Sequence, residues 1–238
     1  MKILKSKLLL YMFIIIVLAG CSSHMMAVKY EPSSQPAVSS ATENVYVGNV
    51  VDSRGTPSNW LGAIRGGYGN PLKKLYTDDE TALVIKGAFE DALKSRGLLG
   101  PAEKAEYHID INLLKFDTSY MVNKEAHANF TMSLVHKSTG ISLFSHTYRT
   151  DNKKGGAGAG IFGNVEALAA FAAETLNETI DKALDDPNFL IALKSTPKSS
   201  NGHQSTESRL EQLELLRQKG LITDEEYKRK RKTIIEGL

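Results

Sequence analysis

Tyr107, Ile109, Ile111 and Leu113 alternate with His108, Asp110 and Asn112, and the same two-residue beat returns at Ala128, Phe130, Met132 and Leu134. Successive side chains of a strand point to opposite faces, so this beat demands a sheet with one apolar face to be covered and one face open to water. A cover is written in the same chain. Ile85, Ala88, Phe89, Ala92 and Leu93 recur at helical spacing, as do Leu168, Ala172, Leu176, Ile180 and Ala183. Each series forms an apolar stripe that can lie on a sheet, which makes the fold class α+β.

The remaining elements follow from punctuation. Residues 45–51 are a β-branched run, ended by the turn-like Asp52, Ser53, Arg54 and Gly55. Residues 53–76 carry five glycines and two prolines around Trp60 and Tyr68, and read as a long loop whose aromatics are candidate binding residues. Thr77 and Glu80 form a capping-box signal for the first helix, which Gly97 stops. A strand over 106–117 and a hairpin turning at Ser138, Thr139 and Gly140 come next, then a glycine-rich connection and a helix capped by Asn164 that ends before Pro187. The order strand-helix-strand-strand-strand-helix predicts one mixed or antiparallel sheet with two covering helices on one face.

The N-terminus has three zones: Lys2, Lys5 and Lys7, an apolar stretch over 8–18, and small residues before Cys21. The apolar core falls short of the roughly 20 residues a membrane span needs. Leu18, Ala19, Gly20 and Cys21 resemble the lipobox of bacterial lipoproteins. That resemblance implies cleavage after Gly20 and acylation of Cys21, which would anchor the mature chain to a membrane. Ser22, in place of an aspartate, favours the outer membrane with the body facing the periplasm; a lipoprotein of the cell membrane is the alternative. The formal charge of +2 falls to −1 once the three leader lysines are removed, so no basic surface suited to nucleic acid remains. Cys21 is the chain's one cysteine, so export brings no disulfide and the body is held by burial.

The chain divides into a signal peptide (1–20), a Ser- and Pro-rich spacer (21–42), a body (43–190), a linker (191–206) and a charged tail (207–238). The body, with Asp52, Ser53 and Arg54, its glycine-rich loop and its later helix, resembles the periplasmic lipoproteins of the YajG type. Related small α+β lipoproteins assist envelope machines, so the resemblance implies an accessory role.

In the tail, Leu210, Leu213 and Leu216 place apolar groups along a helix that Gly220 can end. Thr223 and Glu226 make a second capping box, with Asp224 and Glu225 at the positive end of the new helix. These residues, together with Ile222, Tyr227, Lys230 and Ile234, resemble the SHOCT module, a short C-terminal helical hairpin associated with oligomerisation. A hairpin this small buries little on its own, so its apolar residues are expected to meet a second copy, the body or an envelope protein.

Signals of catalysis are sparse. Gly158, Gly160 and Gly163 spell GxGxxG, but no parallel strand with a terminal acid follows, so a plain connection is the better reading. His108, Asp110, His127, His136 and His146 fall on strands, and their convergence would make a small metal-dependent hydrolase. No HExxH, nucleophile elbow or close carboxylate pair accompanies them. The expectation is therefore a non-enzymatic, lipid-anchored binding protein without cofactor or metal, with a glycan- or lipid-binding lipoprotein as a further alternative.

Overall fold

The computed structural model describes residues 22–31, 43–155, 163–194, 210, 213–214, 217 and 223–236. The chain falls into two compact units, Met1–Ser195 and Thr196–Leu238. The first is α+β, with one seven-stranded mixed sheet. Its strands are β1 (Ser22–Met26), β2 (Val45–Asp52), β3 (Trp60–Arg65), β4 (Pro71–Thr77), β5 (Tyr107–Tyr120), β6 (Asn123–His136) and β7 (Ser142–Gly155). Its helices are α1 (Thr81–Ser95), α2 (Val165–Leu184) and α3 (Pro187–Lys194).

The spatial order is β1-β4-β3-β5-β6-β7, with β2 also paired to β5. β5 is the hub. Its first half pairs in parallel with β2 from Tyr107 to Leu113, and its end pairs in parallel with β3 from Thr118 to Tyr120. β2 and β3 therefore share one edge of β5 end to end, while antiparallel β6 takes the other edge. Both expected helices cover the same face: Phe89 of α1 meets Phe130 of β6 edge-on, with ring centroids 5.1 Å apart, and α2 packs across β5, β6 and β7. On the open face, Thr131 bonds Thr147 and Ser133 bonds Ser145, each at 2.8 Å, as expected for cross-strand hydroxyl pairs.

The structure corrects the sequence reading in several places. Of the expected loop over 53–76, only 53–59 and the short turn 66–70 lie outside strands; the rest is β3 and β4. Gly62 is required because β3 runs so close to β5 that an added Cβ would lie 1.9 Å from the Thr118 carbonyl oxygen. The expected capping box at Thr77 and Glu80 does not form. Thr77 is buried at the end of β4 and donates to the Asp79 carbonyl, and Glu80 makes no side-chain cap. Asn164 does cap α2, accepting from the Ala167 N–H at 2.9 Å, and Gly97 follows α1 with a φ of 68° that favours glycine. Pro187, read as a stop, opens α3, where its missing N–H costs nothing.

The largest difference lies just after Cys21. Ser22–Met26, expected to be part of a flexible spacer, is a strand on the β4 edge, and Val28 and Tyr30 beyond it are buried. A buried guanidinium holds this segment. Arg96, at the end of α1, donates to Tyr30 Oη at 3.0 Å, to Asp181 at 2.8 Å and to both oxygens of Asp185, while Tyr30 donates to Asp181 at 2.5 Å. Burial opposes the charge on Arg96, but its bonds to Asp185, Asp181 and Tyr30 outweigh that and raise its pKa. Burial also raises the Tyr30 phenol, helped by its bond to Asp181.

In the second unit, residues 210, 213, 214 and 217 are helical, and α4 spans Asp224–Glu236. The second capping box forms: Thr223 donates from its backbone and hydroxyl to Glu226 at 3.0 and 3.1 Å, and Glu226 N–H returns a bond at 3.3 Å. The Arg217 guanidinium lies 4.9 Å from the Tyr227 ring centre.

Candidate functional site

The pairing registers bring several chain features to one end of the sheet. Ser22 pairs with Lys73, Lys73 with Ile64, Ile64 with Tyr120, Tyr120 with Lys124, and Lys124 with Lys154. These residues form one row across the sheet, and Ser22 in it is the first residue of β1. The β3-β4 and β5-β6 turns project from the same end. Strands lie about 4.8 Å apart, which puts the start of β1 about 14 Å from Tyr120.

The two turns present apolar side chains. Tyr68 is fully exposed, and Met121 and Val122 are 42% and 62% exposed. The strand ends below them carry Arg65, Lys73, Lys124, Lys153 and Lys154, against Glu125 on β6 and Glu166 at the start of α2. Lys153 pairs with Glu125 at 2.7 Å and Lys154 with Glu174 at 2.9 Å. Arg65 instead donates to the Gly69 carbonyl, Lys73 to the Gly163 carbonyl, and the Lys124 ammonium lies 5.7 Å from the Tyr120 ring centre. Among the described residues, those three cations have no carboxylate partner within ion-pair distance.

Arg54 explains the Asp52, Ser53, Arg54 sequence. Its buried guanidinium forks onto Asp52 at 2.9 and 2.7 Å and donates to the carbonyls of Trp60, Phe116 and Ser58 at 2.7, 3.0 and 3.1 Å. Phe116 sits where the pairing of β5 passes from β2 to β3, a gap in the ladder that leaves carbonyls without strand partners. Arg54 fills that gap, and its hydrogen bonds lower the Asp52 pKa. This is a structural splint rather than a binding site.

A second feature is a cleft of about 490 Å³ lined by Tyr46, Gly48, Asn49, Lys86, His108 and Asp110, among others. The pairing of β2 slips between Val47 and Val50, where the Asn49 N–H donates to Asp110 at 2.8 Å. A Cβ on Gly48 would lie 2.5 Å from the Asp110 carboxylate. A larger groove of about 1170 Å³ follows α2, lined by Ala169, Ala170, Ala173 and Asp181 together with Lys29 and Glu31, among others.

The predicted site residues separate. Leu18, Ala19, Gly20, Cys21, Leu216, Ile222, Gly158 and Gly160 lie outside the described residues. Trp60 is half-buried at the start of β3 and packs edge-on against Tyr76, with ring centroids 5.4 Å apart, so it anchors a hairpin. Leu213 is buried, while Leu210, Tyr227 and Ile234 are half-buried.

The strand histidines do not converge. His108 and His127 are on the open face, and the register sets His127 opposite Asp117, roughly 30 Å along β5 from His108. His146 is on the helix side against Tyr148, with ring centroids 4.7 Å apart, and His136 is at the far end beside Thr139. Among the described residues, no three His, Cys, Asp or Glu side chains are grouped to hold a metal ion. His127 is instead bonded to Asp151 at 2.6 Å, and Arg149 shares that carboxylate. Sequence reading did not single out Met121 and Val122. Their signal was an apolar pair between two alternating strands, just before Asn123 where β5 gives way to β6.

No protein-family model matches the chain, and no curated protein matches it. Several solved structures have a similar shape. A protein of Xanthomonas campestris assigned to the DUF330 family aligns with a TM-score of 0.49 at 13% identity, over 68% of this chain and 92% of that one. PelC of Paraburkholderia phytofirmans, a dodecamer, aligns at 0.37 and 14%, over 62% and 91%. A lipoprotein of Neisseria meningitidis aligns at 0.23 and 13%, over 57% and 96%. At this level of likeness, the chemistry has to be read from the chain's own residues.

Proposed function

We propose that this chain is a lipid-anchored accessory lipoprotein of the bacterial envelope, which acts by binding rather than by catalysis. Cleavage after Gly20 leaves Cys21 as the acylated first residue, Ser22 directs the protein to the outer membrane, and the α+β body faces the periplasm. The observation that carries this reading is the sequence Leu18, Ala19, Gly20 and Cys21 behind a basic and apolar leader, with the first described strand starting at the very next residue. One acyl chain anchors a protein only marginally, whereas two or more hold it stably. The tail, with its formed capping box and its SHOCT-like pattern, serves as an oligomerisation or docking module.

Intact-mass measurement on protein extracted from membranes tests the anchor. The expected species begins at Cys21 and carries the added mass of its acyl chains, and Cys21→Ser yields an unacylated chain that keeps its leader. An unmodified wild-type N-terminus would overturn the reading.

A further inference from the structure

Anchoring at Cys21 would ordinarily leave a body free to tumble on its spacer, but here the chain enters a strand at once. Ser22 is paired to Lys73, and the segment beyond β1 is fixed through Tyr30 to Arg96 and Asp181. The lipid is thus attached to the rim of a folded sheet, and whatever else lies on that rim is held at the membrane with it. That rim carries Tyr68, Met121 and Val122 at its outermost turns and Arg65, Lys73 and Lys124 just below them.

We infer that this end of the sheet is a membrane-docking surface that lies on the bilayer holding Cys21. Tyr68, Met121 and Val122 sit at the boundary between head groups and acyl chains, and Arg65, Lys73 and Lys124 face anionic head groups. The inference rests on acylation of Cys21 and adds what that reading does not contain, an orientation. Tyrosine favours the interfacial zone because its ring is apolar and its hydroxyl wet. Arginine and lysine extend apolar stems while keeping their charge in the head-group layer. The opposite end has a different balance: its loops carry Glu43, Glu103 and Glu106 against Lys104 and Lys137, and the large exposed apolar side chains nearest it are Ile141 and Ile191. The charge contrast and the single residue between lipid and strand both favour a lipid surface over a protein partner.

The test uses the acylated full chain reconstituted into vesicles of phosphatidylethanolamine and phosphatidylglycerol. The sulfur of Cys21 is capped by lipid and the chain has no other cysteine, so Tyr68→Cys, Val122→Cys and Ser138→Cys each supply one free thiol for an environment-sensitive fluorophore. Labels at 68 and 122 should shift to the blue and be several-fold less quenched by aqueous iodide than the label at 138. Omitting phosphatidylglycerol should reduce that protection. Protein that floats with the vesicles while all three labels are equally quenched overturns the docking surface alone. Protein that fails to float overturns the anchor reading and the docking surface with it. Protection at 68 and 122 that is indifferent to phosphatidylglycerol overturns the role of the cations.

Discussion

The two ends of the sheet are finished differently. At the far end, backbone polar groups are spent on holding loops together. Asn44 and Val45 N–H both donate to the Leu98 carbonyl at 3.1 Å, Gly100 N–H to Val45 at 2.8 Å, and Lys137 N–H to Glu106 at 2.8 Å. The Asn44 and Glu106 side chains clasp each other's segments, with the Asn44 oxygen taking the Glu106 N–H at 2.6 Å. At the end that carries the β3-β4 and β5-β6 turns, the β3-β4 turn closes locally, Gly66 N–H to the Asn70 carbonyl at 2.9 Å, and Tyr68 is fully exposed. One end therefore stabilises the body and the other is available to its surroundings. The two halves meet at the joint where β2 and β3 abut on β5, so the contrast depends on that joint.

Arg54 is the sharpest way to break it. Arg54→Ala leaves the Asp52 carboxylate without its partner and takes a donor from the carbonyls of Trp60, Phe116 and Ser58, a loss of about 3–5 kcal/mol expected when one member of a buried pair is removed. Urea denaturation of the full chain should report this loss, and hydrogen exchange should show Trp60–Arg65 and Pro71–Thr77 opening more than Val45–Asp52. Equal exchange in all three strands would mean that the halves are not separately held. Tyr30→Phe has a smaller effect, about 1.5–3 kcal/mol for a bond to a charged group, and a local one. It removes the donor to Asp181 and the acceptor for Arg96, so exchange should rise at Ser22–Met26 while the far end is unchanged.

The same contrast explains what was legible in the sequence. β5, β6 and the helices α1 and α2 declared themselves because their neighbours across the sheet or core are apolar over many turns of one period. β3 and β4 did not, because Gly62 interrupts the beat for the sake of Thr118, and because Lys73 and Lys74 sit side by side where a strand near an edge needs little apolar surface. β1 reads Ser22, Ser23 and His24, a polar edge strand whose existence depends on β4 and on Tyr30 meeting a helix some 150 residues away, as its bond to Asp181 records with a separation of 151. Of the candidate site, the lipobox-like run over 18–21 is local in sequence, which is why it can be read there. The turns that accompany it, and the separation of the histidines, are products of register, which no local pattern fixes once bulges at Val47/Val50 and Leu113/Lys115 shift the pairing.

Acid sensitivity gives the finest comparison between the joint and the end that carries the β3-β4 and β5-β6 turns. Bonds from Arg54 lower the Asp52 pKa, and a bond from Lys153 lowers that of Glu125. A carboxyl held below its unfolded value binds fewer protons in the native state, so its stabilisation is complete above the unfolded pKa and is lost as pH falls through the folded one. For Asp52 the unfolded value is 3.8, and the loss falls below it. The side chain of Asp52 is 17% exposed and that of Glu125 38%, so water and salt screen the second pair far more than the first. Glu125→Gln should change stability at neutral pH by no more than about 0.5 kcal/mol, less still at high salt. Asp52→Asn should lower stability at pH 7 and flatten the decline below pH 3.8, because the titrating group is gone. If thermal melts across pH show the same acid slope in Asp52→Asn as in wild type, the ion pair contributes nothing to the joint, and Arg54 acts there through its carbonyl bonds.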